Sequence, residues 1–190
     1  RKHLALVLRV AVSPSSQIDE AEPIRYRLAL IGLIVGGLFL LVFGGLAGIS
    51  VWATITFFSI YFTIAVAVTR LRAEFGAPHG IFNHPLEMMV TVFGSKCWGA
   101  DELTSMTFFF WFNRGYRPHP MPNQFEALKI AEAARIKNNQ ILWAMIVAGI
   151  ISLVCAFWVN LDMMYRDGAT SKVTGFRLWV GNGAMNQLSS

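Results

Sequence analysis

Side chains able to do chemistry are sparse in this sequence and gather in its middle third. His79, His84 and His119 flank Asp101 and Glu102, residue types that together could ligate a metal. Their spacing matches no ligand pattern, such as two histidines at i and i+4 with a carboxylate between them. Solvated loop histidines are therefore the expectation, and no metal or other cofactor is assigned. No Gly-x-Ser-x-Gly elbow surrounds a serine, and no glycine loop is built to cradle phosphate. No catalytic residue is nominated, and the chain is expected not to be an enzyme. The densest polar group is Asn113, Arg114, Tyr116, Arg117 and His119, punctuated by Pro118 and Pro120. Two guanidinium groups beside a tyrosine and a histidine could hold a carboxylate or a phosphate of a ligand. The competing role for the same residues is anchorage at lipid phosphates.

The elements that must position these residues are apolar. Hydrophobic residues make up 55% of the 190-residue chain and charged residues only 14%, with a mean hydropathy of +0.50. An average soluble domain is about a quarter charged. Residues 28–46 carry no charge and reach about 28 Å as a helix, close to the hydrocarbon thickness of a bilayer. Residues 49–68 form a second uncharged run, and 141–161 a third with only Ser152 and Asn160 clearly polar. The fold class expected is all-α: an integral membrane helical bundle with three transmembrane helices, one half-length or re-entrant helix and one partly amphipathic helix. A net charge of +5 does not point to nucleic acid, because the basic residues flank apolar runs instead of sharing a soluble face. Cys97 and Cys155 lie far apart and form no disulfide or zinc framework.

Only Ala47 and Gly48 separate the first two runs, so 28–68 is expected to be a transmembrane helical hairpin. Residues 1–27 hold five Lys or Arg and 69–140 hold eight, against three after the third run. Basic loops are retained in the cytoplasm. This predicts a cytoplasmic juxtamembrane segment at 1–27, a cytoplasmic loop at 69–140, a third transmembrane helix at 141–161 and an extracytoplasmic tail at 162–190. Because the chain starts at Arg1 and stops at Ser190, it is expected to be an internal section of something longer. Gly32 with Gly36, and Gly44 with Gly48, are small-xxx-small pairs that let helix backbones approach closely, so these four are read as helix-packing residues. Gly44 and Gly45 are also well placed for the turn.

Within 69–140 the second helix should run past the interface and stop near Gly76. Residues 103–112 then form a half-helix of about 15 Å, either re-entrant or lying at the interface, with Asp101 as its N-cap. A partly amphipathic helix at 122–138 follows and is expected to continue into the third span with little break.

The phrases TRLRAEFGAP after a span and WFNRGYRPHPMPNQFEALKIAE before a long one, with Tyr26 and Arg27 ahead of the first, carry a resemblance. They resemble an uncharacterised family of large bacterial polytopic membrane proteins, catalogued as domains of unknown function. The likeness covers most of the chain, is most specific at 111–122, and does not extend to His84 or the GSKCWG stretch. It implies an inner section, towards the carboxyl end, of a long chain in the bacterial inner membrane. It brings no substrate, cofactor or active site.

The expected function is a section of a transporter-like polytopic protein, with the half-helix at 103–112 and the adjoining polar turn lining a site at the cytoplasmic side. The expected partners are membrane lipid and other helices of the same longer chain. A scaffold or assembly subunit is the alternative. A membrane-embedded enzyme is the weakest reading, because the three spans present no charged side chain.

Overall fold

In a computed structural model the chain is described over residues 24–76, 84–113, 115, 119–168 and 175–189. His79, Arg114, Tyr116, Arg117 and nearly all of 1–27 lie outside the described residues, so expectations placed on them stay with the sequence. The described residues are helical and contain no strand. Three helices are long and apolar enough to cross a membrane: α1 (Tyr26–Leu46), α2 (Val51–Phe75) and α7 (Asn138–Asp167). Shorter helices join them: α3 (Pro85–Phe93), α4 (Ala100–Thr107), α5 (Phe110–Asn113), α6 (Pro120–Ala133) and α8 (Phe176–Ser189).

The α1–α2 hairpin closes as its sequence requires. Gly48 adopts φ +77°, a left-handed conformation that glycine reaches without steric cost. The Ile49 N–H then donates to Gly44 O at 2.9 Å and the Gly48 N–H to Gly45 O at 3.2 Å, satisfying carbonyls that the end of α1 would otherwise leave open. Ser50 caps α2, its Oγ accepting from the Ala53 N–H at 3.3 Å.

Helix α2 is the spine. Of its apolar span 28% is buried, against 6% for α1 and none for α7. Its first half carries the main core, in which Ile49, Ala53 and Phe57 pack with Leu86 and Met89 of α3 and Met106 of α4. Phe109, in the break between α4 and α5, wedges into the hairpin: its ring centroid lies 5.2 Å from Phe57 and 6.0 Å from Phe43. In lipid no hydrophobic force draws helices together, so close aromatic packing of this kind must supply the cohesion.

The segment expected as a loop on the arginine side does not stay at that end of α2. Glu102 Oε1 accepts from the Ser50 N–H at 2.9 Å, and Ser105 Oγ donates to Ala47 O at 2.7 Å, both at the hairpin tip. The chain then returns, and Arg72 meets Glu126 of α6 in a two-pronged ion pair at 2.6 and 2.9 Å. Ser50 and Arg72 are about 33 Å apart along a helix, so the segment after α2 travels back the whole length of the span and returns.

Helix boundaries depart from the sequence expectation at three places. The half-helix expected over 103–112 is two pieces, α4 and α5, interrupted at Phe108 and Phe109. Its N-cap is Gly99, not Asp101, because Glu102 reaches back to the Gly99 N–H at 3.0 Å. Helix α6 begins at Pro120, with His119 as N-cap, and stops at Ala133 instead of running into α7. Arg135 takes φ +55° there, and the Ile136 N–H closes onto Ala131 O at 2.9 Å.

Candidate functional site

Among the described residues the buried polar side chains are Thr54, His84, Thr107 and Asn113. The two threonines are satisfied within their own helices: Thr54 Oγ1 donates to Ser50 O at 3.0 Å and Thr107 Oγ1 to Leu103 O at 2.8 Å. The other two are not. His84 Nδ1 and Asn113 Oδ1 are buried and find no hydrogen-bond partner among the described residues. Burying such an atom unpaired costs about 1–3 kcal/mol, so each calls for an explanation.

His84 is placed by the sequence around it. It precedes Pro85, and proline favours the first helical position while holding the residue before it extended. His84 accordingly sits as N-cap of α3 at φ −92°, ψ 130°, without a side-chain capping bond. Its ring lies 4.9 Å from that of Phe110 on α5. Asn113, the last residue of α5, follows Phe110 on the same face of that helix and is 2% exposed. Helix α8 approaches Phe110 as well: a Cβ on Gly183 would stand 2.9 Å from its Cε1, which only glycine avoids. A histidine expected to be a solvated loop residue is thus enclosed between broken helices.

His119, the other described member of the polar turn, is half-buried on α2. Its ring lies 5.7 Å from that of Tyr61, and its Nδ1 accepts from the Met121 N–H at 3.2 Å. Burial holds its pKa below the ordinary histidine value, favouring the neutral ring, with the proton on Nε2. No group of three His, Cys, Asp or Glu side chains gathers as a metal site among the described residues.

The glycines separate by role. A Cβ on Gly44 would collide with the Thr54 side chain, so α1 and α2 touch there, whereas Gly32 and Gly36 meet nothing within 4 Å. Gly48 serves the turn.

Three helices long and apolar enough to span a bilayer, with shorter helices folded back beside the second, give the chain the architecture of a helical membrane protein. The chain belongs to a family of unknown function, DUF6785, which it matches over residues 1–190 and thus also through His84 and the GSKCWG stretch. No curated protein and no solved structure matches it.

Proposed function

We propose that the chain is a section of a polytopic, transporter-like protein of a bacterial inner membrane, in which the α3 to α5 segment lines a solute site. The supporting observation is that short, interrupted helices lie beside a spanning helix and carry the buried, unbonded His84 Nδ1 and Asn113 Oδ1. Irregular backbone and open polar groups at membrane depth are tolerated where they line a cavity or pathway, and transporters use broken helices in this way. Arg114, Tyr116 and Arg117, next along the chain, are candidate contacts for an anionic group, with His119 alongside. Lipid and further helices of a longer chain would cover α1 and α7. No catalytic role and no cofactor are assigned.

The test is the triple variant Arg114→Ala, Arg117→Ala, His119→Ala in the full-length protein. Membrane insertion should be retained while uptake or ligand binding is lost; wild-type activity in the triple variant would reject the site. The span of α7, of which nothing is buried, favours a second reading, an assembly subunit held by packing alone. A panel of metabolites separates the two, since a transporter is thermally stabilised by its solute and a scaffold is not.

A further inference from the structure

We infer that His84 and Asn113 form a subsite for an uncharged ligand group bearing N–H or O–H donors. The inference refines the site of the transport reading, yet it concerns binding and can be tested without transport.

The two residues come from segments far apart in sequence, His84 packing against Phe110 and Asn113 following that residue by three positions in α5. His84 stacks on Phe110 at 4.9 Å with the planes tilted by 44°. Asn113 stands beside Phe110 on α5, where residues three apart are neighbours on one face. His84 is 9% exposed and Asn113 is 2% exposed, so the open atoms are well removed from solvent. A third open atom, Trp98 Nε1, lies beyond the far end of the nine-residue α3, more than about 13 Å along the chain from His84, and is left out of the subsite.

The chemistry of the open atoms selects the ligand. An amide oxygen only accepts, so whatever satisfies Asn113 Oδ1 must bring a donor. A neutral imidazole nitrogen accepts or donates according to its tautomer, so His84 Nδ1 matches either the same donor or an adjacent acceptor. Hydroxyl and primary amide groups meet both demands. A formal charge does not suit the place. Among the described residues none of the buried polar side chains, Thr54, His84, Thr107 and Asn113, carries a permanent charge, and a desolvated ion would find no counter-ion among them. The Phe110 ring supplies an apolar wall for the carbon skeleton, and Gly183 allows α8 to close behind it.

The full-length protein, labelled with ¹⁵N-histidine and held in lipid nanodiscs, would be titrated with three small probes. Acetamide carries N–H donors, N,N-dimethylacetamide lacks them, and acetamidinium is charged. His84 is assigned by its disappearance in His84→Gln. The expected result is a saturable shift of the His84 nitrogens with acetamide, none with N,N-dimethylacetamide, and a dissociation constant weakened about tenfold in Asn113→Leu. If Asn113→Leu does not fold, Asn113→Ala carries the same comparison. A response to N,N-dimethylacetamide equal to that of acetamide, tighter binding of acetamidinium, no saturable shift with any probe, or unchanged binding in the Asn113 variant would each overturn the assignment. Uptake measured in parallel keeps the two readings apart. Saturable acetamide binding without transport of any solute rejects the transporter reading alone, and solute uptake with no acetamide response rejects the subsite alone.

Discussion

Glu102 on α4 and Ser50 at the hairpin tip are joined by a 2.9 Å hydrogen bond from the Ser50 N–H to Oε1, across 52 positions of sequence. The other carboxylate oxygen takes the Gly99 N–H at 3.0 Å. One side chain therefore caps its own helix and fastens that helix to another.

This arrangement should be legible as a pH dependence. The Ser50 hydroxyl, then the backbone N–H groups of Gly99 and Ser50, hold the Glu102 carboxyl below its ordinary 4.5. A carboxyl whose folded pKa is depressed contributes stability above its unfolded pKa and loses it as pH falls through the folded one. Thermal unfolding in detergent should thus show the wild type losing stability below about pH 4.5, with a shallower loss in Glu102→Gln. Parallel profiles for the two proteins would remove the carboxylate from this role. The group is largely solvated, so the effect should be modest.

Gly44 makes a second, steric prediction. A methyl group there would meet Thr54, whose Cγ2 would stand at 2.9 Å and Cβ at 3.1 Å. Thr54 cannot easily swing away, because its Oγ1 is held to Ser50 O at 3.0 Å. Gly44→Ala should destabilise the hairpin by about 1–3 kcal/mol, with partial recovery when Thr54→Ala is added. Gly36→Ala, with open space around it, should be neutral or slightly stabilising. Equal effects of the two glycine substitutions would contradict the α1–α2 contact.

What the sequence disclosed and what it concealed follow from the range of the forces involved. The three spans were readable because an uncharged run of bilayer length needs no partner to be recognised, and the tip turn because Ala47 and Gly48 leave room for nothing else. The return of α4 to the tip was hidden, since it rests on Ser50 with Glu102 and Ala47 with Ser105, separated by 52 and 58 positions. His84 was hidden for the same reason: Gly, Asn and Pro around it read as loop, while its burial is decided by Phe110. The dipeptide His84–Pro85 was the one local sign that a helix starts there. The break after α6 was concealed because Arg135 adopts a left-handed conformation usually signalled by glycine or asparagine.

His119 offers a titration in the opposite chemical class. Its burial lowers the pKa of the folded state, so the unfolded chain takes up a proton first as pH falls. Stability should be level above about pH 6.5 and decline from there towards the lower folded pKa. His119→Asn keeps an N-cap acceptor for α6 but removes the titration. The variant should therefore fold with its helix intact and show a flatter profile below about pH 6.5. A wild-type slope retained in His119→Asn would assign the proton uptake to another group.

The course of the segment after α2 can be checked with the native cysteine at its turn. Cys97 is exposed, in the short 3-10 turn Ser95–Cys97 that precedes α4, and α4 is bonded to the hairpin tip. Lys129 lies at the opposite end, one turn beyond Glu126 and its partner Arg72. In a Cys155→Ala background of the full-length protein, a membrane-impermeant maleimide should modify Cys97 from the same side as Leu46→Cys at the tip. Lys129→Cys, introduced with Cys97→Ala, should react from the other side. If the Arg72 end is the cytoplasmic one, as the charge distribution predicts, Cys97 is the site expected to react in intact cells. If Cys97 and Lys129→Cys instead label together from one side, the segment stays at one face of the membrane and the bonds of Glu102 and Ser105 to the hairpin tip do not form.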